Sequence, residues 1–502
     1  MIRSRHRPRK TPRFQEPPLT RSSPLWLQFN EQLDADHLAR LIDRGVDQLD
    51  LTPLEQSYTG RGSLPYSPTL LLKIVLFEIH RGRPKPAQWY LDTTENIALQ
   101  WLGMGIQPAR SVWYLFAARV RPLVDGFNHQ VLQLAQTQGH TTADCGALDG
   151  TFLEANASRH HLLNAEQLQQ RLVLLQAATQ QDAAASVPTE QPYWMAQTPA
   201  SRTQQQQQYQ TAQAHLDERL AENERRIPSQ RQEAKKIRIS VTDPEAALGK
   251  DKFKVFRPLY NVQYVRDVDT LFILGYDTVA RNYDAGMLVP MMKRTEQLTG
   301  HKPKKVLLDS GYITGLDLAE ARQLEIALYG PWKENDYSEA PTTVKQLSKA
   351  EFKWDATARE YRCPQGQRLS LAGTQNRTRC LGRTEKVELY RADAKVCASC
   401  PLKAKCCPKA SRGRSVNRSE HEELIEEHRA KMATPEAKEI YKRRRQTVEP
   451  SIGDSKEHRN YRRVHGRGLE KAKGHTALTV LAHNLYELMK TNAARSPVGQ
   501  GP

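Results

Sequence analysis

The chain has 502 residues, more than one hydrophobic core normally serves, so two or more domains are expected. A formal charge of +18 and an isoelectric point near 9.5 point to a polyanionic partner, because neutralising phosphates releases counterions whatever sequence is read. No run approaches the roughly 20 apolar residues of a membrane span; the nearest, residues 70–79, contains Lys73 and Glu78, and the Arg-rich start has no apolar stretch after it to make a secretory signal.

The expected location is therefore the cytoplasm. The cysteines agree: seven is an odd number, and most crowd between residues 363 and 407, which disfavours a secreted disulfide framework and predicts reduced thiols.

Residues 1–24 lack apolar periodicity, and residues 1–21 hold seven Arg/Lys against one Glu, predicting a basic arm without structure until it meets DNA. Residues 25–138 read as a helical domain. Its apolar stretches around 70–77, 89–102 and 112–120 are separated by Gly/Pro turns at 81–84 and 103–108, as in a helix-turn-helix-like bundle. The apolar positions are core, which leaves Arg110, Arg119 and Arg121 as the cations able to reach phosphates.

Residues 143–148 read as a strand ending at Asp149-Gly150. Composition then shifts over 161–237 to Gln, Ala and Leu, with a glutamine run at 204–208, predicting two polar helices in an antiparallel arm broken near Pro188 and Pro192. No chemistry is assigned to it. Alternating β-branched, aromatic and polar residues predict strands at 254–265 and 270–279; a helix at 286–298, a strand at 305–309, a helix at 315–324 and a strand at 325–329 follow. This order is an α/β pattern with a mixed sheet, a core assembled from 139–160, 238–332 and 434–490 and split by the arm. Residues 333–433 form a cysteine-containing insertion, and 491–502 a tail without structure.

Two constellations carry chemistry. In the insertion, Cys363 in YRCPQGQ, Cys397 and Cys400 in a CxxC, and Cys406 fall within reach of one tetrahedral site, with Cys380 and Cys407 spare. Four thiolates suit a structural Zn²⁺, while an iron–sulfur cluster or free thiols stay open. The second constellation is acidic. Asp149 and Asp309 are expected at strand ends and Glu449 in or at the start of a helix, an arrangement able to hold two Mg²⁺ through hard carboxylate oxygens. Taken singly, a strand-end Asp is more often a turn or cap residue. Arg445, Glu449 and Lys456 stand at i−4, i and i+7 and share one helical face, either as phosphate contacts or as an ordinary exposed Arg–Glu pair. Pro450 predicts that the helix kinks or starts afresh at Glu449.

In this order, DGTFLEANASRH, SVTDPEAALGKDKFKVFRPLYNVQ, LLDSGY and QTVEPSIGDSKEHRNYRRVHGRGLEKAKGHTALTVLAHNL resemble the bacterial insertion-sequence transposases of the DDE type over most of the chain. The resemblance implies an RNase H-like mixed-sheet catalytic core with an N-terminal all-α DNA-binding domain and two insertions. It also implies an acidic triad of Asp149, Asp309 and Glu449 holding two Mg²⁺ (or Mn²⁺), which activate water and then a 3′-OH. Partners would be double-stranded DNA, as transposon ends and target, and a second copy in a homodimer. Arg445, Glu449 and Lys456 are similar to an R-x3-E-x6-K signature, although the tyrosine that precedes it in the family falls one position off, at Tyr441 rather than 442. Trp332 and Trp354 are candidates for stacking a flipped base, with core packing as the alternative. Two rivals stand beside cleavage and strand transfer: a catalytically inactive, domesticated transposase acting as a DNA-binding regulator, and an RNase H-like nuclease or resolvase.

Overall fold

The computed structural model describes residues 11–60, 62–226, 228, 231–332, 347–379, 382–408 and 411–495. The chain is a mixed α/β protein in two compact units, one of Met1–Tyr283, Lys293–Lys302 and Gln446–Pro502, the other of Asp284–Met292 and Pro303–Arg445.

The first unit opens with eight helices: α1 (Pro24–Glu31), α2 (Leu38–Val46), α3 (Thr52–Gln56), α4 (Pro68–His80), α5 (Pro86–Glu95), α6 (Ile97–Leu102), α7 (Arg110–Val120) and α8 (Val124–Thr137). Proline starts α1, α4 and α5, where a missing N–H costs no helical bond. Helix α4 is buried along nearly its whole length, and its Lys73, only 3% exposed, reaches Asp43 of α2 at 2.6 Å and Asp47 at 2.6 Å. A buried ammonium survives only with such partners.

The long α17 (Leu469–Arg495) packs on α2, α4 and α8 and completes this core. A Cβ on Gly45 of α2 would lie 2.8 Å from the Leu485 side chain, so the two backbones approach as closely as glycine allows. Helix α17 also covers a sheet of β1 (Cys145–Glu154), β4 (Ala247–Lys250), β5 (Phe256–Asp267) and β6 (Ile273–Val279), where Asn484 bonds both the N–H and the carbonyl of Ile273 at 2.9 Å. Strand β5 pairs antiparallel with β1, β4 and β6, in a register that sets Asp149 opposite Tyr264 and Glu154 opposite Leu259.

The glutamine-rich stretch forms α9 (Ala165–Ala183) and α10 (Pro199–Arg225), closed at the base by a short pair, β2 (Leu162–Leu163) and β3 (Ile239–Ser240). Their shared core contains Leu168, Leu175, Tyr209 and Leu216. Glutamines also tie the arm together, Gln205 bonding both the Ala196 N–H and the Trp194 carbonyl at 2.8 Å and Gln206 accepting the Thr179 hydroxyl at 3.1 Å.

Two terminal expectations need correction. Residues 1–10 lie outside the described residues, but the N–H of Gln15 donates to the Pro65 carbonyl at 2.8 Å and that of Leu19 to Met104 at 2.9 Å. Residues 15–23 are thus laid onto the helical domain before any DNA arrives. At the other end α17 runs on to Arg495, and 496–502 lie outside the described residues.

In the second unit a parallel pair, β7 (Lys305–Leu308) and β8 (Ala327–Tyr329), is joined through α12 (Gly315–Gln323); α11 (Leu288–Thr299), which precedes it, is divided between the units. The cysteine-containing insertion is an antiparallel sheet in the order β13-β12-β11-β10-β9, made of β9 (Lys353–Asp355), β10 (Glu360–Arg362), β11 (Arg368–Thr378), β12 (Thr384–Ala392) and β13 (Ser415–Ser419). Two short helices, α13 (Ala394–Ala398) and α14 (Lys403–Cys406), lie between β12 and β13. Helix α15 (Glu422–Ala433) follows and ties to β8, with His428 contacting the Gly330 carbonyl at 2.8 Å and Lys431 donating to that of Leu328 at 2.6 Å.

Candidate functional site

Asp149 lies in the middle of β1, not at its end. The strand continues to Glu154 because residues 151–154 keep the in–out alternation and pair with Leu259 to Val262 of β5. Its half-buried carboxylate accepts the Gly150 N–H at 2.9 Å. Asp309, in the second unit, directly follows β7 as expected from the sequence. It is exposed, and Oδ1 accepts the Gly311 N–H at 2.7 Å and the Ser310 hydroxyl at 3.1 Å, holding the turn that leaves the strand. The carboxyl end of a parallel strand is where α/β folds place ligand-handling side chains.

Glu449 is exposed on α16 (Pro435–His458), whose residues to Arg445 belong to the second unit and the rest to the first. The helix neither ends nor restarts at Pro450. Proline removes one N–H bond, yet the helix is assigned across it, and Ser451 Oγ donates back to the Thr447 carbonyl at 2.8 Å. Arg445, one turn before Glu449, is exposed as well.

Lys456 is anchored through one of its three ammonium N–H groups. Its Nζ donates to the Phe152 carbonyl on β1 at 3.0 Å. Burial, and then the nearby Lys252 and Arg462, lower its pKa to about 8. This contact fastens the C-terminal part of α16 to the strand that carries Asp149.

Among the described residues no group of three or more His, Cys, Asp or Glu side chains is arranged to hold a metal ion. The donor chemistry of the three acids still suits a hard cation. In the insertion, Cys363 sits in a tight turn whose Gly366 N–H returns to the Cys363 carbonyl at 2.8 Å, and Cys397 Sγ accepts the Arg414 N–H at 3.5 Å. Cys406 and Cys407 are buried, and the Cys407 thiol meets both Cys406 and Cys397. Burial, then the neighbouring Cys407, pushes the Cys406 thiol up to about 11. Cys407 thus packs against Cys397 and Cys406, whereas Cys400 is half-buried at the end of the CxxC and Cys380 lies outside the described residues.

Other expectations resolve into packing. Trp354 lies 4.9 Å from Tyr361 and 5.3 Å from Tyr390 by ring centroids, with the Arg418 guanidinium 4.1 Å from its ring, so it is part of the module's core. Arg429 stands 5.8 Å from the ring of half-buried Trp332. Arg119 covers Tyr58 at 4.0 Å and so serves the helical domain's own packing. Sequence reasoning missed the work of Asp243 and Glu245 in SVTDPEAALGK. They accept the N–H groups of Gly468 at 3.2 Å and Leu469 at 2.8 Å, capping α17 where its dipole favours negative charge. Acids placed just before a distant helix start leave no local signal.

Against known protein families, residues 362–489 match the model of a transposase DDE domain, and residues 27–116 match that of a transposase domain designated DUF772. The first match contains Arg445, Glu449, Lys456 and the cysteines 363, 397, 400 and 406; the second covers most of α1, all of α2 to α6 and most of α7. No curated protein matches the chain.

Proposed function

We propose that this chain, a DDE-type insertion-sequence transposase by the two domains it carries, cuts DNA at transposon ends and joins the freed 3′-OH to target DNA through Asp149, Asp309 and Glu449 on an RNase H-like core. The observation that carries the reading lies inside the first unit: Glu449 is exposed within the matched DDE domain, and the same helix is bonded through Lys456 to Phe152, three residues along β1 from Asp149. A helix carboxylate and a strand carboxylate on elements bonded to each other are what a polynucleotidyl transferase of this type requires.

Asp149, Asp309 and Glu449 would hold two Mg²⁺ or Mn²⁺, which supply charge neutralisation at the phosphate and a more acidic attacking water or 3′-OH. The chain's own residues position the substrate. Arg445 would grip a flanking phosphate as a planar fork and Lys456 as a point charge, both from the face that presents Glu449. Cys363, Cys397, Cys400 and Cys406 would hold a structural Zn²⁺, with Cys407 packed against the set. A second copy of the chain would handle the other transposon end.

The test is excision and integration of a plasmid-borne element flanked by its terminal repeats, using the purified protein with Mg²⁺. Excision with integration supports transposase activity; binding without cleavage leaves a regulator, and cleavage without joining leaves a nuclease. No helix among the described residues is long and apolar enough to cross a membrane.

A further inference from the structure

The turn joining β4 to β5 has no part in the reading above. Residues 250–257 run Lys-Asp-Lys-Phe-Lys-Val-Phe-Arg, and two aromatic rings within four residues stand in water, Phe253 at 67% exposure and Phe256 at 48%. A loose loop would fold such rings down onto the nearest apolar surface. This turn is stiff. Asp251 Oδ1 accepts the N–H groups of Phe253 at 2.8 Å and Val255 at 3.0 Å, and the Asp251 N–H donates to the Val255 carbonyl at 3.0 Å. The Lys254 N–H donates to the Asp251 carbonyl at 2.9 Å, with Lys254 itself in the left-handed region at φ 60°. Arg257 Nε holds the other Asp251 oxygen at 3.0 Å.

The electrostatic setting is one-sided. The acids nearby are matched by arginines, Asp251 and Glu154 by Arg257 and Glu457 by Arg462. Lys252 Nζ lies 5.1 Å from the Phe253 ring centroid, and Lys252 also acts on Lys456, the residue bonded to the Asp149 strand. Glu154, paired with Arg257 at the base of the turn, is five residues along β1 from Asp149, roughly 17 Å at strand rise.

We propose that Phe253 stacks on an unpaired nucleobase of the bound DNA while Lys252 and Lys254 contact the phosphates beside it, fixing the strand's register beyond the end of β1. The proposal rests on the chain being a DNA-binding transposase. Every base offers a π face, so stacking needs no sequence signal, and a flat ring between cations is the shared chemistry of single-strand binding surfaces. Two rings flanked by lysines make too small and too charged a patch for a protein partner.

The experiment uses the full-length protein and a duplex with a single-stranded extension carrying 2-aminopurine, whose fluorescence falls when it stacks. Wild type should quench it. Phe253→Ala and Phe253→Leu should lose the quench and bind the extended duplex about 5- to 150-fold more weakly, from the usual worth of one base–aromatic stack. Phe253→Trp should retain both, and the salt dependence of binding should be the same for all. Lys252→Ala should instead reduce the slope of log K against log salt by about one. Wild-type quenching and affinity in Phe253→Ala and Phe253→Leu would overturn the proposal while leaving DNA binding intact. Failure of the wild type to bind the extended duplex would remove the DNA-binding reading and this proposal with it, and binding without quenching would overturn the stacking proposal alone. Phe253 is exposed, so equal melting temperatures are expected across the variants.

Discussion

Asp309 and Glu449 are exposed and Asp149 is half-buried, whereas Cys406 and Cys407 are buried within a small β module. Both sets have metal-ligand chemistry, and their surroundings sort them into different tasks. Hard carboxylates open to water exchange ligands readily and admit a phosphodiester. Thiols sealed among Phe352, Tyr361, Leu369, Tyr390 and Val416 admit nothing large, and a metal there would be a permanent part of the fold. The module's buried core is thin, and small domains of that kind gain stability from a metal or a crosslink. On the proposed reading, exposure sets Asp309 and Glu449, assigned to catalysis, apart from Cys406, assigned to structure, while Asp149, Cys363, Cys397 and Cys400 lie between them.

That contrast breaks most visibly if the carboxylates are replaced by isosteres. Asp149→Asn, Asp309→Asn and Glu449→Gln are each expected to lower Mg²⁺-dependent strand cleavage by at least about 10²–10³-fold, the cost of losing one group that stabilises developing charge. DNA affinity should hardly change, because few phosphate contacts are lost. Cleavage assays alongside filter binding check this, and wild-type-like cleavage by any one variant removes that residue from the set.

On the thiol side, elemental analysis should find about one zinc per chain, and chelation should open the β module to protease before the rest of the chain. Cys406→Ser and Cys400→Ser should release the metal and Cys407→Ser should keep it. A metal-free preparation with full stability and activity would make these thiols ordinary core.

Where sequence and structure part company, the reason is long-range contact. Periodicity placed β7, α12, β8 and the two arm helices closely, since each is regular over its own length. It stopped β1 at Gly150, because glycine reads locally as a breaker and the pairing with β5 that carries the strand to Glu154 lies more than a hundred residues away. The three acids were legible only because four motifs occurred in a known order. Lys456 was legible as a cation on the Glu449 face, but its bond to Phe152, 304 residues earlier, was not. Burial decided the rest: Cys407 and Trp354 differ from Cys400 and Phe253 in what packs around them, which spacing does not encode.

Lys456 sharpens the comparison from the carboxylate side through pH. Its folded pKa of about 8 lies below the ordinary lysine value of 10.5, so the folded state holds this proton less tightly than the unfolded one. Its effect on stability is therefore unfavourable below pH 8 and is relieved as pH rises from about 8 toward 10.5. Its effect on DNA runs the other way, since the cation that attracts phosphate is lost over the same rise. Binding should weaken as pH passes about 8 in the wild type, with a flatter profile in Lys456→Met. Identical profiles for the two would leave Lys456 as a strand anchor only.

The smallest effect is expected at Arg445, where Arg445→Ala changes one exposed side chain a turn from Glu449. If its guanidinium holds a phosphate, the slope of log K against log salt should shallow by about one unit, because one fewer counterion is released on binding. If it only pairs with Glu449 on a solvated helix face, the loss is about 0.3–0.5 kcal/mol of helix stability and the slope stays put. Salt titrations of wild type and Arg445→Ala on the same duplex separate these outcomes. A shallower line places Arg445 with the exposed, exchangeable side of the molecule. Parallel lines remove Arg445 from the proposed phosphate contacts and leave Lys456 and the Phe253 turn as the remaining candidates for them.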